Sequence, residues 1–215
     1  MIRSFVAKGF DLSRLRAAGV IAFVLLAGCQ KNQLLVKRSA CPAVAVPNYT
    51  GDMTIFNNGG TAASDIDLVA TITNVRGVCD DAADRLGTAI SFDLLARRNA
   101  AAGARSVSLP FFISIVQGGN LLVSKQLGAV TVNFADGQLR AQASAAAHAD
   151  VSRAATTLGE AMQKKINRNR KPGDLDAATD PLADPEVKAA VRAATFEVLV
   201  GFQLSDDALA YNAAK

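Results

Sequence analysis

Val107-Ser108-Leu109-Pro110-Phe111-Phe112-Ile113-Ser114-Ile115-Val116 runs into Gln117-Gly118-Gly119-Asn120. The chain then returns as Leu121-Leu122-Val123-Ser124-Lys125-Gln126-Leu127-Gly128-Ala129-Val130-Thr131-Val132-Asn133-Phe134. Two runs rich in β-branched and aromatic residues flank a glycine pair, which reads as two strands joined by a hairpin turn. Gly128 marks a candidate bulge in the second strand. Upstream, Thr88–Arg97 sets Ile90, Phe92 and Leu94 on one face. Before it, Ile66, Leu68, Ala70 and Ile72 alternate with Asp67, Val69, Thr71 and Thr73, the period of a strand with a buried face. Asp52–Phe56 is a further short strand, closed by the turn signal Asn57-Asn58-Gly59-Gly60.

Downstream, Asp136-Gly137 is a second hairpin signal. The segment 138–151 after it is alanine-rich and ambiguous between strand and helix; its place after the turn favours strand. The character then changes. Leu158, Met162 and Ile166 form a helical stripe over 158–170, expected to end at Pro172-Gly173. Asp184 before Pro185 reads as an N-cap with proline at the first helical position, opening a helix over 185–194. Phe196, Val198, Val200, Phe202 and Leu204 form one face of a last strand, and Ser205-Asp206-Asp207 starts a short terminal turn or helix near Tyr211-Asn212. About seven closely spaced strands predict a mainly β fold, an antiparallel sandwich of the immunoglobulin or fibronectin kind. The helical stretch, about 156–194, has too little apolar content for its own core and is read as an insertion before the last strand.

The N-terminus has a different character. Arg3, Lys8, Arg14 and Arg16 precede an apolar run from Ala17 to Leu26, and Leu26-Ala27-Gly28-Cys29 closes it. Ten helical residues span about 15 Å, half of a hydrocarbon core of about 30 Å, so the run is a signal h-region and not a membrane span. The four closing residues resemble the lipobox of bacterial lipoproteins. That resemblance implies cleavage between Gly28 and Cys29 and acylation of the Cys29 thiol. It divides the chain into a signal peptide (1–28), a tether (29–40) and a sandwich domain (41–215). Gln30, in place of the aspartate that retains such lipoproteins in the inner membrane, implies the periplasmic face of the outer membrane.

The leader also bears on the charge. Its four basic residues against Asp11 carry +3 of the chain's +4, so residues 29–215 carry about +1. A nucleic-acid partner loses its main support. With Cys29 lipidated, Cys41 and Cys79 remain as an even pair in an oxidising compartment, and a Cys41–Cys79 disulfide is predicted. Free thiols or a metal pair are the alternatives; a zinc site needs more ligands, and His148 is the one histidine of the chain.

Beyond the lipobox, the chain resembles a family of small alphaproteobacterial envelope lipoproteins. The residues that carry the likeness are Cys41-Pro42, Thr54-Ile55-Phe56 with Asp65 and Asp67, Cys79, the closing strand Phe196–Leu204 with Val200-Gly201-Phe202-Gln203-Leu204, and Leu209 with Tyr211-Asn212. Residues 155–190 fall outside it. The resemblance implies fold and location, and no catalytic residue.

The remaining candidates for chemistry read as structural. His148 has no partner at triad or zinc spacing, and neither His-Glu-x-x-His nor Gly-x-Ser-x-Gly occurs. The acidic run 174–186 fails the calcium-loop pattern, because Ala178 and Thr179 hold places that need an oxygen ligand and glycine. The basic run 164–171 reads as a solvated helix face, a contact for anionic headgroups, or a partner of the acidic run downstream. Neither Cys41 nor Cys79 lies in Cys-x-x-Cys. The expectation is a non-enzymatic module with no cofactor and no metal, held to the membrane by acyl chains on Cys29 and joined to an envelope protein partner through its sheet edges. The alternative is a binder of a small lipid or glycan, although the absence of tryptophan and the presence of only two tyrosines argue against sugar stacking.

Overall fold

The computed structural model describes residues 39–215, apart from 58, 82 and 83. The signal peptide, Gly28, Cys29 and most of the 29–40 tether therefore lie outside the described residues.

Eight strands build two sheets. They are β1 (Ala43–Ala45), β2 (Asp52–Phe56), β3 (Ile66–Asp80), β4 (Arg85–Arg98), β5 (Arg105–Gln117), β6 (Leu121–Phe134), β7 (Arg140–Ser152) and β8 (Phe196–Phe202). The first sheet has the order β1-β8-β5-β6 and the second β2-β3-β4-β7. All pairings are antiparallel except β1 with β8. The mainly β sandwich expected from strand spacing is the observed architecture, with the helical stretch just before β8.

The alternation decides which side chains meet. Leu68, Ala70 and Ile72 of β3 and Ile90, Phe92 and Leu94 of β4 are buried against Leu109, Phe111, Ile113 and Ile115 of β5. Val198, Val200 and Phe202 of β8 are fully enclosed. Phe92 and Phe111 meet edge to face across the sandwich, with centroids 5.2 Å apart. The segment 138–151 is a strand, as its position suggested, and pairs with β4 from Arg97↔Arg140 to Arg85↔Ser152.

Three local expectations are corrected. Gly128 is not a bulge: it pairs in register with Phe111, and the irregularity lies at Ile115/Val116, opposite Val123. Gly128 makes room for the Phe111 ring, since a Cβ there would lie 2.5 Å from Phe111 Cζ. Asp136-Gly137 makes a turn, with Gly137 at φ +79°, but not a hairpin. β6 and β7 belong to different sheets. The buried Arg98 guanidinium holds the carbonyls of Ala135 and Gln138 in that connection, so the chain crosses between sheets around it.

The helix expected over 158–170 is shorter. After a helical turn α1 (Arg153–Thr156), α2 covers Glu160–Ile166. The Asn167-Arg168-Asn169-Arg170 stretch has weak helix formers at 167 and 169. Its arginines turn to Asp174 and Asp176 instead. The Asp184 cap is as expected: its Oδ1 accepts from the Glu186 and Val187 N–H groups at the start of α3 (Pro185–Ala193). Ser205 caps the terminal helix α4 (Asp206–Ala214). Asn212 of α4 is buried and donates to the carbonyls of Tyr49 and Asp52, which ties the C-terminus to β2.

Cys41 and Cys79 form the predicted disulfide, with Cα atoms 6.0 Å apart. Cys41 leads into β1 of the first sheet and Cys79 is the next-to-last residue of β3 in the second, so the bond joins the sheets.

Candidate functional site

The charged residues singled out in the sequence are mostly engaged with one another. Lys165 bridges Asp184 at 2.7 Å and Glu186 at 2.8 Å, and Arg168 and Arg170 take Asp176. The basic run is thus paired with the acidic run, one of the readings left open by the sequence. His148 faces outward on β7, 3.2 Å from Asp150 of its own strand, which also meets Arg85. Among the described residues, no group of three or more His, Cys, Asp or Glu is placed to hold a metal.

The displaced carboxylates have structural partners. Asp93 is held below the usual range by hydrogen bonds from Ser144 and Asn74. Asp184 is lowered by Lys165 and by the helix N–H of Glu186. Asp67 is lowered by Arg105, which donates to both carboxylate oxygens at 2.8 and 2.6 Å and carries a β3–β5 link between the sheets. A folded pKa below the unfolded value of about 3.9 stabilises above that value, and the contribution is lost as pH falls through the folded pKa. Asp67→Asn is therefore expected to lower stability at pH 7 and to flatten its decline on acidification below about pH 4. Urea midpoints at pH 7 and in that acid window check both signs.

Two surfaces stand out among the described residues. The first is the free edge of the first sheet. β6 pairs with β5 alone, so its outer row of N–H and C=O groups has no hydrogen-bonded strand partner among the described residues, and β7 of the second sheet lies close to part of it. Its Leu121, Leu122, Val123 and Leu127 are exposed, at 58, 56, 53 and 69%. Leu127 pairs across to Phe112, and the Lys125 ammonium sits 4.9 Å over the Phe112 ring. Lys125 is the one charge between Leu121 and Phe134. A long apolar edge with a single charge is unusual, because natural edges are blunted by charge, proline or a cover.

The second is an open groove of about 680 Å³ on the outer face of the second sheet. Strand register sets its rows. Val69, Arg97 and Arg140 are cross-strand neighbours, and so are Thr71, Leu95 and Gln142. Alternation puts Leu94, Ala96 and Arg98 inside, so Leu95 and Arg97 point out. Leu95 is 49% exposed.

Neither surface was found from the sequence. The stripe Leu121–Leu127 was legible only as half of a hairpin, and whether a strand lies at an edge depends on sheet order. Arg97 and Arg140 are 43 positions apart, and only register brings them together.

No known protein family, curated protein or solved structure matches this chain in comparison.

Proposed function

We propose that the chain is a non-catalytic binding module of the bacterial envelope. It is anchored by acyl chains on Cys29 at the periplasmic face of the outer membrane and accepts an extended segment of a protein partner alongside β6. The open β6 edge carries this reading. Strand addition uses unpaired main-chain groups for affinity and alternate side chains for selectivity, and β6 offers both beside exposed leucines and valine. Its near-neutral edge fits an apolar strand better than a charged one. The lipobox-like Leu26-Ala27-Gly28-Cys29 supports the anchor, and the Cys41–Cys79 bond suits an oxidising compartment.

A photo-crosslinking residue at Val123 or Leu127, in cells expressing the full chain, is expected to give one discrete adduct with an envelope protein. The same residue at Ser91, on the opposite outer face, gives none. Leu127→Lys removes the adduct. An adduct of twice the chain's mass identifies self-pairing and overturns the hetero-partner, and no adduct at either position overturns docking at β6. Cys29→Ser is expected to move the protein from the membrane to the soluble envelope fraction; unchanged partitioning overturns the anchor.

The groove on the second sheet favours a second reading, a small-ligand binder, because its size lies within the range of ligand sites, roughly 300–1,000 Å³.

A further inference from the structure

Arg97 and Arg140 stand directly opposite each other on β4 and β7. Residues so placed have Cβ atoms about 5 Å apart, and like charges there repel. Most other arginines of the sandwich are compensated. Arg98 is held by four carbonyls, Arg105 by Asp67, and Arg85 by Asp150. The side chain of neither Arg97 nor Arg140 has a hydrogen bond or ion pair among the described residues.

The carboxylates around them are committed elsewhere. Asp67, two positions from Val69, is engaged on both oxygens by Arg105. Asp93, two positions before Leu95, accepts from Asn74 and Ser144. Asp52 accepts from the Thr71 hydroxyl and meets Lys215 at 3.5 Å. Two forked cations therefore face solvent side by side, with the exposed Leu95 and the half-buried Val69 next to them.

We propose that this groove binds an amphiphile with a phosphomonoester head. The head sits in the paired guanidinium forks and the apolar tail lies along Leu95 and Val69. Charge selects the head: a phosphomonoester carries about −1.5 to −2 at neutral pH, matching two arginines, whereas a carboxylate neutralises one. Geometry agrees, since the guanidinium fork matches phosphate oxygens in bidentate fashion. The apolar neighbours select an amphiphile over the free ion. This inference rests on the small-ligand reading and is independent of docking at β6.

Calorimetric titration of the full chain with dioctanoyl phosphatidic acid, below its micelle concentration, tests it. Dioctanoyl phosphatidylcholine and inorganic phosphate are the comparison ligands. Phosphatidic acid is expected to bind at least tenfold more tightly than either. Arg97→Gln and Arg140→Gln should each weaken it at least fivefold, and the double variant should abolish it. Leu95→Asn should weaken the lipid and leave inorganic phosphate unchanged. The double variant removes a like-charge contact, so its melting temperature should match or exceed the parent's, which separates lost binding from lost folding. Equal binding of phosphatidylcholine, or full binding by the double variant, overturns the site. Inorganic phosphate binding as tightly as the lipid overturns the amphiphile. Loss of lipid binding with β6 crosslinks intact sinks neither the edge nor the anchor.

Discussion

Arg98→Met is expected to lower the unfolding free energy by about 3–5 kcal/mol, because buried carbonyls lose their donor at about 1–3 kcal/mol for each one left unsatisfied. The side chain is 2% exposed at the end of β4. Among the described residues, no carboxylate compensates it. Nε donates to Gln138 O at 2.7 Å, Nη1 to Gly103 O at 2.7 Å, and Nη2 to Ala101 O at 2.6 Å and Ala135 O at 3.0 Å. The guanidinium also lies 5.2 Å from the centroid of the Phe134 ring. These acceptors belong to the two connections by which the chain passes between sheets, β4 to β5 and β6 to β7. One side chain therefore fixes both crossings. Methionine keeps the stem and strands the carbonyls; those nearest solvent recover water, which keeps the loss below the sum of separate charged hydrogen bonds at about 1.5–3 kcal/mol each. Arg98→Lys keeps the charge but not the planar fork, and is expected to restore less than half of the loss. Urea unfolding of the three proteins measures this. A lysine variant as stable as the parent would show that charge alone matters and that the fork does not.

Arg98 also shows how far the sequence could be read. The alternation that puts Leu94 and Ala96 inside continues to Arg98, so period two already points an arginine into the core. From residue types alone such a position reads as a strand end. Its carbonyl partners lie in loops whose paths the sequence does not encode locally. The same limit explains the Asp136-Gly137 error: the dipeptide specifies a turn, and the arginine beside it decides which sheet the next strand joins. Strand faces, the Asp184 cap, the start of a terminal turn or helix at Ser205 and the cysteine pairing are legible because each depends on near neighbours or on simple parity. Gly128 differs from the bulge expected of it because its role is to clear space for Phe111, seventeen positions away, on the facing strand. The surfaces offered here for binding were hidden for a related reason. An edge exists only once sheet order is known, and the Arg97–Arg140 pair exists only once register is known.

Removing the disulfide has a comparable expected effect by a different route. Cys41 and Cys79 are 38 positions apart, and closing a loop of that size removes unfolded-state entropy worth about 4 kcal/mol in the chain-entropy account. The native state loses something as well. β1 is three residues long and is the outermost strand of its sheet, held by its parallel pairing to β8. Val44 fits against Gly77 of β3, where a Cβ would lie 2.3 Å from Val44 Cγ2. The bond thus pins a short edge strand over the far end of β3. Cys41→Ser with Cys79→Ser is expected to lose about 3–4 kcal/mol, which for a domain of this size lowers the melting temperature by roughly 6–16 °C. Reducing the parent with dithiothreitol should reproduce the shift, because both half-buried cysteines are within reach of a small thiol. Amide exchange should accelerate first in Ala43–Ala45 and in the part of β3 beyond Asn74, while Ile90–Leu94 and Val198–Phe202 keep their protection until global unfolding. Uniform acceleration across both sheets would mean that the bond acts on the unfolded chain alone. A double variant within about 1 kcal/mol of the parent would mean that the two sheets need no covalent link, since the entropy account alone demands several times that.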